Sequence, residues 1–373
     1  MLSVGIANIK EFNINLINKK MKRLLNRRIL TIVSEEEVGA GSAPAIENEM
    51  NEVSNQSIDE VTEETETANN EDQTLVVIEA SNGVDAERQL IRMGRKPTSP
   101  YAVRIPDGTK IISRYSFGNC WNVKEITIPN SVLVIEEDAL INCELEEIVV
   151  PSSVVKIEGN PFYGNKLRFI TVDKDNPVYD SRDNCNAIIK TKTDTLIAGS
   201  KNTVIPESVV KIEKGAFSQG SIDHINIPKS IMEIVPGAIY DVNIQSISVD
   251  NGNPVYDSRN GCNAIIITET DTLIAGCSNT VIPDTVEKIG WKAFSESYLS
   301  HVVIPDSVKA IVECAFCGCE FLSTVIIGKA VQKIGFNAFK GCDSLETVIL
   351  LGDEPEGYWK PSLPEDCEII IVQ

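Results

Sequence analysis

From residue 105 onward, apolar and polar positions follow one recurring order. An Ile-Pro or Val-Pro pair opens each unit, with prolines at 106, 129, 151, 206, 228, 283 and 305, and Gly328 stands where the next is due. A second apolar pair follows, as in Val209 and Ile212 or Val308 and Ile311. Eleven positions after each of these prolines, and after Gly328, stands a bulky apolar residue: Phe117, Leu140, Phe162, Phe217, Ile239, Phe294, Phe316 and Phe339. Each unit closes on a pattern such as Leu345-x-x-Val348-x-Leu350. The alternation at the close predicts a half-buried strand. The proline behind it ends that strand, because it has no N–H to give to a ladder. The unit is 22 or 23 residues long and occurs eight times. One unit cannot bury its own apolar face, but stacked units serve as one another's core, so the pattern predicts a solenoid over residues 105–373.

Two steps between prolines are 55 residues long, which leaves 33 extra residues in each. These inserts, 173–205 and 250–282, align with each other at an offset of 77. Both contain Asn-Pro-Val-Tyr-Asp-Ser-Arg, a strand-like Asn-Ala-Ile-Ile, a polar turn around Thr-Asp-Thr and a returning Thr-Leu-Ile-Ala-Gly. Each predicts a β-hairpin on the side of the solenoid. Ahead of the repeats, residues 75–78 predict a strand and 85–93 a short helix ended by Gly94 and Pro97. Residues 75–104 therefore read as an N-terminal cap or linker. Residues 351–373, with a strand-like run at 369–372, read as a C-terminal cap.

The net charge of −20 is unevenly spread. Residues 1–33 carry +6, 34–80 carry −14, 81–104 carry +3, and 105–373 carry −15. The stretch 34–72 has no aromatic and few apolar residues, so it is expected to be disordered, a solvated acidic spacer. The basic start lacks the uninterrupted apolar core of an export signal. It is compatible with an amphipathic, membrane-touching helix. Residues 1–74 thus form a basic start and an acidic disordered segment. No run of 18 apolar residues is present, so no transmembrane helix is expected. The acidic solenoid argues against nucleic acid as the partner, since phosphate binding needs clustered Lys and Arg.

The repeat residues resemble the BspA-like leucine-rich repeats, whose unit reads I-P-x-S-V-x-x-I-x-x-x-A-F-x-x-C-x-x-L-x-x-V-x-I. The match is clearest over 304–327 and 328–350, and it spans about 270 of the 373 residues. The resemblance implies a leucine-rich-repeat solenoid, β-rich with short helical and turn segments, from a family rich in bacterial surface proteins. It implies cell-surface or secreted placement and a role in adhesion. The missing export signal leaves an intracellular scaffold or effector as the alternative.

Chemical candidates are few. His224 and His301 stand 77 apart at one repeat position and read as copied surface residues or as a ligand-touching pair. Cys314, Cys317 and Cys319 give C-x-x-C-x-C, but zinc usually wants a second ligand pair, and Cys319 shares a repeat position with Cys120, Cys143 and Cys342. These repeat cysteines read as small buried hydrophobes, at a spacing that permits a disulfide between ladder neighbours such as Cys319 and Cys342. The acids of the inserts (Asp173, Asp175, Asp180, Asp183, Asp250, Asp257) match no calcium loop and suit turns. No phosphate-binding glycine loop or nucleophile elbow occurs. The expectation is therefore no enzyme, no metal and no cofactor. The sheet face is the most informative surface. One outward row reads Glu125, Glu147, Phe169, His224, Ser246, His301, Thr324, Thr347. The next reads Thr127, Val149, Thr171, Asn226, Ser248, Val303, Ile326, Ile349, and turns apolar toward its end. A protein or glycan ligand is expected on a face formed by Phe169, His224, Asn226, His301, Val303, Ile326 and Ile349. The competing reading is that residues 351–373 fold over the apolar end.

Overall fold

The computed structural model describes residues 75–96, 98–218, 222–240 and 244–372. The expectations for residues 1–74 lie outside the described residues. The rest winds as a β-solenoid of about thirteen turns with little helix. Its main face carries β1 (Val76–Glu79), β2 (Tyr101–Arg104), β3 (Val123–Thr127), β4 (Glu147–Val150), β5 (Phe169–Val172), β8 (His224–Ile227), β9 (Ser246–Val249), β12 (His301–Ile304), β13 (Thr324–Ile327), β14 (Thr347–Leu350) and β15 (Glu368–Ile371), hydrogen-bonded in parallel as the sheets β1–β3, β4–β5, β8–β9 and β12–β15; the insert strands β6 (Ala187–Lys190) and β10 (Ala264–Ile267) pair within their inserts instead. Eight of the main-face strands close the eight predicted repeats, and β1, β2 and β15 add the ends. Two return strands, β7 (Thr195–Gly199) and β11 (Thr272–Gly276), complete the inserts. A second, shorter ladder runs along the opposite side. It is built from the apolar pairs inside each unit, such as Ile111–Ile112, Val134–Ile135 and Lys156–Ile157, paired in parallel.

At the start, α1 (Gly83–Arg92) begins two residues earlier than the sequence predicts. Asn82 is the reason: its Oδ1 accepts the Asp85 N–H at 2.9 Å, which caps the first turn. The helix buries Ala86 and Leu90 against the first coil.

The Ala-Phe motif is a turn whose backbone forms a third set of bonds between coils. The N–H of Phe117, Phe294 and Phe316 donates to the carbonyl of Ala139, Ala315 and Ala338 in the next coil. Ala139, Ala315 and Ala338 are fully buried where the coils meet. The phenyl rings then stack: Phe294 on Phe316 at 5.1 Å and Phe316 on Phe339 at 5.4 Å between centroids. Trp359, 1% exposed, meets Phe339 edge-on and closes the column. The chain passes through the left-handed region two residues before the aromatic position, at Tyr115, Asp138, Gly215, Gly237, Lys292, Cys314 and Asn337. Such a path favours Gly, Asn and Asp, which fill four of these seven positions.

The repeat cysteines are more than fillers. Cys143, Cys319 and Cys342 donate their thiols to the carbonyls of Phe117, Phe294 and Phe316 in the preceding coil, at 3.2, 2.9 and 3.1 Å. Asn165 holds the same position in its coil, and its amide donates to Leu140 O at 2.7 Å. In these four coils the position therefore also ties one coil to the one before it. All ten cysteines are free thiols in this structure. Burial pushes the Cys143 thiol up to about 12. The hydrogen bond with Cys342, together with burial, pushes Cys319 higher still.

The inserts depart from expectation. They do not hang on the side of the solenoid; they cross it. Along β6 and β7, Ile188, Ile197 and Ala198 pack into the N-terminal core, while Ala187, Ile189 and Leu196 pack into the central one. Along β10 and β11, Ile265 and Ala275 face the central core and Ala264, Ile266 and Leu273 face the C-terminal one. Each hairpin is a two-faced partition, which explains why its strands are apolar at successive positions rather than alternating. The Asn-Pro-Val-Tyr segment staples the partition to the coil before it. Asn253 donates to Pro228 O and Ile231 O and accepts from the N–H groups of Val255 and Tyr256, all at 2.8–3.0 Å. Asn176 makes the same four bonds in the first insert. Where the partition interrupts the second ladder, the Tyr179 and Tyr256 hydroxyls accept the N–H of Ile157 and Ile234 at 2.8 Å.

Two acids in each insert serve an arginine clamp. Arg182 meets both oxygens of Asp180 at 2.7 Å and reaches Asp194 at 2.7 Å, and Thr191 donates to Asp180. Arg259, Asp257, Asp271 and Thr268 repeat the arrangement. Burial works to raise the Asp180 and Asp257 carboxyls, but the arginine and threonine hydrogen bonds outweigh it and hold both below their ordinary value of 3.8. A depressed carboxylate contributes stability above its unfolded pKa and loses it as pH falls through the folded one. Stability is therefore expected to be level above about pH 5 and to fall below about pH 4. In urea unfolding at both pH values, Asp257→Asn should lower stability at high pH and show a smaller acid-induced drop than the parent. An equal drop in the two proteins would show that the clamp does not titrate with folding.

Candidate partner-binding face

Within each sheet of the main face, parallel pairing keeps the outward repeat positions in register. In the C-terminal sheet, His301, Thr324, Thr347 and Glu368 are aligned, and so are Val303, Ile326, Ile349 and Ile370. Their inward neighbours Val302, Val325 and Val348 are buried. Val303 is 55% exposed, and Ile326 and Ile349 are half-buried by one another. Residues 351–372 do not fold over this row. They turn at Trp359, seal the end of the core, and return as β15, which adds Ile370 to the row. The alternating pattern Glu368-Ile369-Ile370-Ile371 carries that register in the sequence, although Ile370 is absent from the predicted set.

The other predicted residues lie on different sheets. His224 and Asn226 sit on β8, paired with Ser246 and Ser248 on β9. Here the face is polar: His224 Nδ1 is hydrogen-bonded to Ser246 Oγ at 2.7 Å, Ser248 donates to Asn226, and Asn226 donates to Asp250 at 2.8 Å. Phe169 on β5 is 47% exposed, with the Arg168 guanidinium 5.9 Å from its ring centroid. The structure therefore groups His301, Val303, Ile326 and Ile349, and separates them from His224 and Asn226 and from Phe169. An exposed aromatic pair that sequence reasoning missed, Tyr298 and Phe321, packs edge-on at 5.3 Å on the loops entering β12 and β13. The spacing Tyr298 to His301 and Phe321 to Thr324 is the same, which was a legible signal.

Both histidines contact a serine, His224 with Ser246 and His301 with Ser300 at 3.0 Å. Nucleophilic catalysis needs the base to be oriented by a third group, and among the described residues no carboxylate is hydrogen-bonded to either imidazole. The thiols of the C-x-x-C-x-C run diverge, Cys319 toward Phe294 O in the core and Cys317 toward Asn337 O. Asp173 accepts the Asp175 N–H within its own turn. Among the described residues, no three His, Cys, Asp or Glu side chains converge as metal ligands, and no helix is long and apolar enough to cross a membrane.

A stack of 22- or 23-residue coils, with parallel strands on one side, stacked phenyl rings at the turns and an open sheet face, defines a leucine-rich-repeat solenoid. The chain belongs to the BspA type leucine rich repeat region family, whose pattern matches in six copies over residues 98–186, 198–261 and 274–353. Repeats of this family are generally binding modules rather than enzymes, and membership points to a protein-binding or surface role. Among solved structures, the chain is similar to a leucine rich cell surface protein of Faecalibacterium prausnitzii, with 24% identity over 68% of this chain and 60% of that one and a TM-score of 0.43. It is also similar to a leucine-rich repeat protein of Eubacterium ventriosum (18% identity, 75% and 66% covered, TM-score 0.40). A third is the pneumococcal vaccine antigen PcpA (18% identity, 74% and 62% covered, TM-score 0.38). The chain spans less than two thirds of the length of these proteins. A comparison with curated proteins finds no match.

Proposed function

We propose that the chain is a non-enzymatic binding module that docks a protein partner on its main face and serves adhesion at the cell surface. The supporting observation is the aligned row Val303, Ile326, Ile349 and Ile370, which runs across four adjacent strands with none of the described residues folded over it. An apolar strip of this kind, with a polar rim supplied by His301, Thr324, Thr347 and Glu368, matches the core-and-rim construction of protein interfaces. The Tyr298–Phe321 pair adds rigid aromatic surface, the residue type that dominates binding hot spots. The polar stretch around His224 and Asn226, and the isolated Phe169, supply specificity away from the anchor. The net charge of −15 over the solenoid favours a partner surface of basic character.

The test is a screen of the intact chain against host matrix proteins and glycans, repeated with Val303→Glu and Ile326→Glu combined. Charges on the row should weaken binding of the protein ligand by about 10–100-fold, equivalent to about 1.4–2.7 kcal/mol. A ligand whose affinity ignores both substitutions, or a screen positive for glycans alone, would overturn the assignment of this row to a protein partner. Protease treatment of intact producing cells followed by fractionation separates surface adhesion from an intracellular scaffold.

A further inference from the structure

One turn of the solenoid carries a feature that neither the repeat nor the binding face uses. Cysteine appears two residues before the aromatic position in one coil alone, at Cys314, where others place Tyr115, Asp138, Gly215, Gly237, Lys292 or Asn337. The same coil has cysteine again one residue after the aromatic, at Cys317. Neither is the ladder position of Cys143, Cys319 and Cys342, whose thiols bond the preceding coil. Two separate departures from the repeat thus fall in a single turn.

The geometry brings them together. The Cys317 N–H donates to Cys314 O at 3.1 Å and closes a four-residue turn. The ends of such a turn lie within about 7 Å at their Cα atoms, a separation that overlaps the span a disulfide bridges. Both side chains are partly exposed and both are free thiols. The Cys317 thiol donates to Asn337 O at 3.0 Å.

We propose that Cys314 and Cys317 form a vicinal dithiol site that small-molecule disulfides oxidise to an intramolecular bridge. Cys314 is the attacking thiol. It loses its proton to solvent, and its thiolate attacks one sulfur of the small disulfide. That S–S bond breaks, one small thiolate leaves and takes up a proton, and a mixed disulfide remains on Cys314. Cys317 then loses its proton, attacks the Cys314 sulfur and expels the second small thiol. Two protein thiols and one small disulfide become one protein disulfide and two small thiols, with two electrons passing to the small molecule. Cys317 is the resolving thiol because its S–H is held by Asn337 O; burial and the adjoining Cys314 also push it up to about 12. The bridge would enclose Ala315 and Phe316, the middle ring of the aromatic column.

The experiment treats the intact native chain with oxidised glutathione, blocks the remaining thiols and maps the products by mass spectrometry. The expected product is a peptide containing residues 314–317 that is lighter by two hydrogens and restored by a dithiol reductant. Cys317→Ser should instead accumulate a glutathione adduct on Cys314, and Cys314→Ser should react about tenfold more slowly. A wild-type chain that keeps a stable glutathione adduct on Cys314, stays unreacted, or bridges Cys314 to any other cysteine overturns the proposal. The wild-type map decides the question even if a serine variant fails to fold.

Discussion

Replacing Asn253 with alanine is expected to destabilise the solenoid by about 3–4 kcal/mol. The side chain makes four hydrogen bonds, two as donor and two as acceptor, to backbone groups on both sides of the coil–partition junction. A typical bond contributes about 1 kcal/mol net, and each backbone group left dry costs about 1–3 kcal/mol. The site is half-buried, so water re-solvates part of what alanine abandons, and the estimate falls below the sum of four full penalties. Asn253→Asp keeps both acceptors and loses both donors, and should fall between the parent and alanine. The urea midpoint at constant slope reads the effect. A loss under about 0.5 kcal/mol, the range of ordinary surface substitutions, would show that the four bonds do not hold the partition in place.

That asparagine marks where sequence reading stopped. The Asn-Pro-Val-Tyr-Asp-Ser-Arg segment was visible as a duplicated text, and its acids could be assigned to turns. Its roles could not be read, because Asn253 and Tyr256 bond backbone groups 22 to 25 residues back along the chain, at Pro228, Ile231 and Ile234, and Arg259 reaches across its hairpin to Asp271. The solenoid itself was legible because its signal is local and repeated: each coil meets only its neighbours, so period and register are one fact. The two outward rows followed from the same register. The partitions were misplaced for a related reason. A run such as Ala187-Ile188-Ile189 breaks the alternation of a half-buried strand, and that departure was the available sign of burial on both faces. Whether residues 351–372 covered the apolar row was open in sequence, since a strand-like run can lie across a sheet or extend it. The pairing of Ile370 with Ile349 decides for extension.

The second large effect is expected at Gly276, where alanine should cost about 2–3 kcal/mol. The backbone there is not left-handed, so the requirement is one of space. A Cβ on Gly276 would lie inside contact distance of the Phe294 ring, and one on Gly199 would do the same to Phe217. The glycine that ends each Thr-Leu-Ile-Ala-Gly strand thus makes room for the aromatic residue of the following coil, to whose alanine it also donates, Gly199 to Ala216 O and Gly276 to Ala293 O at 2.8 Å. The two sites differ in how freely the ring can move. Phe294 is stacked on Phe316 with an interplanar angle of 3°, and Phe316 on Phe339, so tilting it disturbs a column. In the coil after Phe217, the aromatic position is held by Ile239, which leaves that ring outside a stacked column. Gly199→Ala should therefore cost less than Gly276→Ala. Phe294→Ala alone should cost about 3–5 kcal/mol by opening a cavity. Combined with Gly276→Ala, it should cost about 1–2 kcal/mol less than the two separate losses together, because the new methyl then enters the space the ring vacates. Strict additivity in that cycle would mean that the methyl is rejected by the backbone rather than by the ring, and equal costs at Gly199 and Gly276 would deny the aromatic column its part in setting them.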